Sequence, residues 1–406
     1  KLSTKKGISI SKPTEVLTEH IRNIIKLRKK KDIFLTKIII SNNKGIVNSL
    51  TMKKKIAIIH NLPKGGGMRM LGAIIERYKS NFDIDIISIT DLKQETIRGV
   101  NRIVIKAVPW KGFLLYNFWI IFILPIIHIR ISRKINWSKY NFVLATHDYY
   151  TKSPYLIRYI KNKIIYLCQE PQREYYESWS FHAPYLKDKI ANLLRYPIKI
   201  VDEINVRCAS KIICNSEYSK NIIEKIYGKK CEVVYPGVDE KLFKPTNIKR
   251  KDMIVCVGRI NRMKGQDFIV NSLQPILKKF NLIFIGGGRK EDIKYLNKLI
   301  GKNTNIIIKE NVTDTELIEY YRKAKVTCIA AHCEPFGLSS IESQACGTPV
   351  VSINEGGPRE TIIDGVTGFL SDRIENIYLN KTILAINNCD KMKNNSVNNI
   401  VHNWTW

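Results

Sequence analysis

Short apolar runs rich in Ile and Val recur along this chain, each followed by a stretch of helical length. From Lys55 onward the strand candidates are 55–60, 84–89, 102–106, 141–146, 164–168 and 211–214, then 253–257, 281–285, 305–308, 326–330 and 349–353. Strands that are apolar on both faces belong in a parallel sheet covered on both sides. The segments 68–80, 266–279, 290–300 and 314–324 have the length and spacing of the intervening helices. Alternating β and α units predict an α/β protein with doubly wound parallel sheets. The pattern restarts after Tyr235-Pro236-Gly237-Val238-Asp239 and Lys244-Pro245, where Pro and Gly punctuate the chain. Two Rossmann-like domains follow, 52–245 and 250–390, with 391–406 expected to be an incomplete C-terminal return segment. Such a pair places its ligand where strand C-termini from the two sheets face one cleft.

Composition agrees with two large cores: of 406 residues, 44% are apolar and 25% charged. That excludes global disorder and a disulfide-held miniature fold. The net charge of +31 points to an anionic partner, namely nucleic acid, acidic lipid or a phosphorylated ligand. A chain rich in Lys, Ile and Asn also reaches such a charge from coding bias alone. Of the nine cysteines, Cys256 and Cys328 sit inside apolar runs and read as small buried hydrophobes in a reducing compartment. His332-Cys333 near Cys328 lacks paired metal-ligand spacing, so no metal site is expected.

Residues 1–51 carry twelve Lys or Arg against Glu15, Glu19 and Asp32, and show no strand-turn-helix order. Met52 reads as the native start, with 1–51 a basic extension outside the fold. Residues 112–129 contain no Asp, Glu, Lys or Arg, and Arg130, Arg133 and Lys134 follow. Three readings stand for this run: a membrane span, a helix dipping into one leaflet, or a buried helix of the first domain. Aromatic residues beside a basic flank favour surface attachment, at the inner face of the plasma membrane in an otherwise cytoplasmic protein.

The sharpest chemistry lies in Glu334-Pro335-Phe336-Gly337-Leu338-Ser339-Ser340-Ile341-Glu342. It follows a strand and opens a helix, whose free N–H groups and positive dipole end suit a phosphate. Gly337 allows close backbone approach, and carboxylates accept hydrogen bonds from sugar hydroxyls. Two solvated glutamates at a helix start would read the same way. These nine residues resemble the signature of the large family-four (group 1) retaining glycosyltransferases of GT-B fold. Ala345-Cys346-Gly347-Thr348-Pro349, Glu355-Gly356-Gly357-Pro358-Arg359-Glu360 and Asp364-Gly365-Val366-Thr367-Gly368 are similar to that family in order and spacing, and the resemblance runs from about residue 55 to 370.

The resemblance implies a GT-B pair of domains, the first taking the acceptor and the second the nucleotide sugar. It assigns Gly258, Arg259 and Lys264 to the loop that meets the leaving diphosphate. Glu342 matches the carboxylate expected on the ribose, and Glu334 the one expected near the donor sugar. The backbone of Phe336, Gly337 and Leu338 would meet sugar or phosphates, and Val312 would lie by the base. Gly66 and Gly67 match the first-domain loop that approaches the diphosphate, while Gly286-Gly287-Gly288 resembles the family's glycine-rich turn. Many relatives carry a histidine where this chain has Gln169 or Glu170, so that role does not transfer. His147, ending a strand, is the alternative catalytic histidine. Asp83-Ile84-Asp85 reads as strand structure rather than a metal motif, and the family fold implies no catalytic metal. The expected activity is therefore metal-independent, retaining hexosyl transfer, with no cofactor beyond the nucleotide diphosphate sugar as co-substrate. The expected acceptor is a lipid-linked or cell-envelope glycan. A basic nucleic-acid-binding protein and an inactive scaffold of the same fold are the competing readings. No nucleic-acid partner is expected, since no zinc-finger, RNP-type or helix-turn-helix signature occurs.

Overall fold

The computed structural model describes residues 53–62, 65–89, 100–105, 107–177 and 182–406, so the basic extension 1–51 and Met52 lie outside the described residues. The first domain is a seven-stranded sheet in the order β3-β2-β1-β4-β5-β6-β7. Its strands are β1 (Lys54–Asn61), β2 (Phe82–Ser88), β3 (Asn101–Val104), β4 (Phe142–Asp148), β5 (Ile164–Leu167), β6 (Lys211–Cys214) and β7 (Cys231–Val233). All pairings are parallel, with Ile58 opposite Ile86 on one side and Leu144 on the other. The second domain repeats the plan with six strands in the order β10-β9-β8-β11-β12-β13. These are β8 (Met253–Val257), β9 (Asn281–Ile285), β10 (Ile306–Lys309), β11 (Val326–Ile329), β12 (Val350–Ile353) and β13 (Gly368–Ser371).

The alternation of side chains explains the continuous apolar runs. In β8, Ile254 and Cys256 enter one core cluster, while Met253 and Val255 enter another on the opposite face. A strand with cores on both faces has no position for a polar residue. The cysteines among the described residues form no disulfides, and Cys256 and Cys328 are buried core atoms as their context predicted.

Helices α1 (Gly66–Tyr78), α2 (Phe113–Lys134), α3 (Leu186–Leu194), α4 (Pro197–Cys208) and α5 (Glu217–Tyr227) belong to the first domain. The second carries α6 (Gln266–Leu273), α7 (Lys290–Ile300), α8 (Asp314–Lys323), α9 (Leu338–Ala345), α10 (Glu375–Asn387) and α11 (Cys389–Asn403). The apolar run forms α2, which is long and apolar enough to cross a membrane. One face of α2 nevertheless packs into the first domain through Trp119, Ile120, Leu124, His128 and Ile131. A π-helical turn over Trp119–Ile123 precedes Pro125. It takes up the ring that would clash with the carbonyl one turn earlier.

The end of the chain differs from expectation. The boundary at 390 falls inside α11, which packs on α9: Asn399 donates to Gln344 Oε1 (2.9 Å), and Ile400 and Trp404 join the second-domain core. The segment 391–406 is therefore part of that domain, because its apolar residues recur at helical spacing. Beyond α11, Val238 N donates to Trp404 O at 2.7 Å, tying the tail to the linker between the sheets.

Candidate functional site

Both sheets reverse their strand order at their first strand: β1 lies between β2 and β4, and β8 between β9 and β11. The crevice outside the strand C-termini at such a point is where open α/β sheets bind ligands. The loops after β1, β4, β8 and β11 carry most of the residues that the sequence singled out.

In the second domain, Gly337 has φ +85° and starts α9. A side chain there would strain the backbone and meet Pro358 Cγ at 3.1 Å. Beneath this loop, Gly357 N donates to Glu334 O (2.8 Å), and a Cβ on Gly356 would sit 2.3 Å from the same oxygen. The Glu355-Gly356-Gly357 turn is thus what sets the height of Glu334. Lys264, at the end of a short turn after β8, forms an ion pair with Glu334. The cation expected at the diphosphate and the carboxylate expected at the sugar are in contact. Arg259 is solvent-exposed and its carbonyl accepts from Gln266 Nε2 (3.0 Å), which braces the loop from Gly258. The Phe336 side chain is buried against Tyr235 and Trp404, so its backbone is what remains for a ligand. Val312 is half-buried beside the start of α8, whose capping box joins Thr313 and Glu316.

Glu342 is 4% exposed, and burial pushes its carboxyl upward against the opposing pull of Arg69 and Tyr321. Tyr321 Oη donates to its Oε2 at 3.1 Å. The other oxygen lies 3.0 Å from Nη1 of Arg69, which reaches across from α1 of the first domain. Asp314 is a second, longer partner at 3.8 Å. That Nη1 is buried without a well-aligned hydrogen bond. Arg69 was not among the residues the sequence pointed to. The available signal was a cation one turn into a helix that opens on Gly65-Gly66-Gly67.

Gly66 and Gly67 line the first-domain wall. A Cβ on Gly66 would approach Leu338 Cδ1 to 2.9 Å, and one on Gly67 would approach Gln169 Oε1 to 3.1 Å. The domains are therefore close at this point, and Gln169 borders the cleft. His147 does not present a free imidazole there. It is buried, its Nε2 accepts from the amides of Gln169 (3.2 Å) and Glu170 (3.4 Å), and burial lowers its pKa to about 3. Its neutral ring holds the 169–170 loop through that nitrogen. Asp83 sits near the N-terminal end of β2 and Asp85 midway along it, not in the loop after the strand. Asp85 is bonded by Tyr140 Oη (2.7 Å) and Lys55, the structural role expected of that strand.

A further contact crosses the domains near the hinge. Glu360 accepts from the amides of Glu217 (3.0 Å) and Tyr218 (2.9 Å) and from Tyr235 Oη (2.7 Å). It supplements the Ser216 cap of α5 from the opposite domain.

Comparison with known proteins agrees with this architecture. Residues 238–401 match the family model described as glycosyl transferases group 1. A D-inositol 3-phosphate glycosyltransferase of Xylanimonas cellulosilytica is 30% identical over 199 residues, which cover 43% of this chain and 48% of that protein. The chain thus spans about half the length of the curated relatives it matches. Among solved structures, sucrose-phosphate synthase from Thermosynechococcus elongatus aligns over 87% of this chain and 95% of its own, with 18% identity and a TM-score of 0.69. HepE of Anabaena, solved with UDP and glucose, aligns over 87% and 96% with 18% identity and a TM-score of 0.66. Strand order and family match converge: residues 238–401 match the group 1 glycosyl transferases, and the chain that carries them has the GT-B fold.

Proposed function

We propose that this protein transfers a hexose, with retention, from a nucleotide diphosphate sugar to a hydroxyl of a lipid-linked or envelope glycan at the inner face of the plasma membrane. The observations that support the reading are three contacts between loops that follow strands at or beside the points where the sheets reverse: Lys264 with Glu334, Arg69 with Glu342, and Gly66 close against Leu338. A nucleotide sugar as donor is supported by HepE, solved with UDP-glucose, and by relatives named as glycosyltransferases.

In this reading the diphosphate takes Lys264 from Glu334 and adds Arg259 and the N-terminus of α9. These groups stabilise the charge that develops as the sugar leaves. Glu334, released from its ion pair, accepts hydrogen bonds from sugar hydroxyls, and Glu342 does the same for the ribose once Arg69 withdraws. Closure of the domains excludes water and limits donor hydrolysis. No side chain is placed as a covalent nucleophile. The acceptor therefore attacks the face the diphosphate leaves, passing its proton to a departing phosphate oxygen, and no metal or other cofactor enters the scheme.

The test is thermal unfolding with UDP, GDP, ADP, CDP and TDP. One nucleotide at about a hundredfold excess over its Kd is expected to add about 2.7 kcal/mol and raise Tm by about 2–4 °C. The shift is expected to vanish in Arg259→Ala and Glu342→Ala. No shift with any of the five would overturn the donor reading and favour a scaffold or nucleic-acid role.

A further inference from the structure

Exposed apolar side chains are concentrated on one part of the first domain. Of twenty-two large apolar residues exposed among the described residues, eight lie in 108–126 and seven in 186–204. Along α2 the outward face presents Leu114, Leu115, Phe118, Phe122 and Ile126, with Trp110 stacked on Phe118 at 5.9 Å. On α3 and α4 the exposed residues include Leu186, Ile190, Leu193, Leu194, Ile200 and Ile204, recurring at helical spacing. The two faces adjoin. Arg195, between α3 and α4, bonds Asn117 Oδ1 of α2 and lies over the Tyr116 ring at 5.6 Å.

Cations rim this surface. Lys111, Arg130, Arg133 and Lys134 lie at the ends of α2 and are exposed, as are Lys189 and Arg207 on α3 and α4. No Asp or Glu occurs in 108–134. On α3, Asp188 is held by Arg289 at 2.9 Å; on α4, Asp202 is buried and the half-buried Glu203 accepts from Tyr176 Oη at 3.4 Å. Apolar patches of this extent mark interaction surfaces. An apolar face within a basic rim matches an anionic bilayer, whose acyl layer takes the side chains and whose head groups take the charges.

We infer that α2, α3 and α4 form one docking face that lies flat on an anionic lipid leaflet. Sequence reading alone pointed to 112–129 and left α3 and α4 unassigned. Helix α3 gives the face its purpose. Its inner side is tied to the second domain by Asp188 with Arg289, Lys187 with Glu291, and Tyr185 Oη with Asp292 (3.3 Å), where α7 begins. The apolar face therefore ends where the first domain meets the second, beside the Gly286-Gly287-Gly288 turn after β9. Docking brings this junction of the two domains to the head-group plane, where a lipid-linked hydroxyl is presented without leaving the membrane. This purpose rests on the acceptor reading above, whereas the docking itself does not.

The test uses the full chain and vesicles of one part phosphatidylglycerol to two of phosphatidylcholine, with pure phosphatidylcholine alongside. Co-sedimentation is expected with the anionic vesicles and to persist at raised salt, because apolar insertion is not screened. Binding by the basic residues 1–51 alone would be lost at raised salt. Phe118→Ser with Phe122→Ser, and Leu193→Ser with Ile200→Ser, are each expected to weaken salt-resistant binding by about tenfold or more. Both pairs are at exposed positions, and an unchanged Tm and nucleotide-induced shift in the same samples show that fold and cleft are intact. Unchanged vesicle binding in the Leu193 and Ile200 variant overturns the face as drawn. So does a wild-type chain that ignores both vesicles, or one that instead self-associates through these residues. Loss of the nucleotide shift with vesicle binding intact would count against the transfer reading alone.

Discussion

Glu170 and Lys152 show how a single pair conditions the wall of the cleft. Burial opposes a charge on Glu170, but Lys152, bonded to it, outweighs burial and brings its pKa from 4.5 to about 2. The folded value lies below the unfolded one. The stabilisation is therefore complete above about pH 4.5 and is lost as the pH falls toward 2. Glu170→Gln is expected to cost about 2 kcal/mol at pH 7, since it leaves Lys152 uncompensated in a largely buried site. The gap to wild type, measured by urea unfolding, should shrink as the pH falls from 4.5 to 2. Asp148 and Asp202 act in the opposite sense: burial raises each to about 6, so their contribution is complete below 3.8 and lost as the pH rises through 6.

At the scale of elements, the contact from Glu360 to α5 stands out, because the helix and its carboxylate belong to different domains. Glu360→Ala is expected to cost about 1 kcal/mol, the usual worth of a helix cap, read as a lower urea midpoint with an unchanged slope. Elements of this kind were not legible in the sequence, since the carboxylate and the amides it receives are distant in the chain. The strands were legible where both faces are buried, as in β8 and β9. Cys231–Val233 and Gly368–Ser371 were missed, being three and four residues long, the last strands of their sheets and only partly buried. The acidic pair of the second domain was legible because one nine-residue motif holds both carboxylates, and the cations Arg259 and Lys264 because they follow a buried strand in a loop of their own. Arg69 could not, because its meaning depends on Glu342 in the other domain. For His147, strand position told where the ring lies but not that two amides engage one of its nitrogens.

For the whole molecule, the Arg69–Glu342 pair joins the domains through the carboxylate expected to receive the ribose. Ligand and latch compete for one oxygen. Arg69→Met should therefore widen the unliganded molecule, seen as a larger radius of gyration in solution scattering. It should also tighten binding of the cognate nucleotide by about fivefold, the worth of a partly exposed ion pair. Weaker binding in this variant would instead make Arg69 a direct contact to the nucleotide.

The amides of Glu217 and Tyr218 have a use beyond stability. Each donates to a carboxylate on the opposite domain, so any rotation that withdraws Glu360 uncovers two protons at the first turn of α5. Their exchange with deuterium should then keep time with the parting of the domains. A donor that holds the cleft shut would slow two named protons, giving the opening rate of an enzyme-sized hinge from the isotope content of one short peptide.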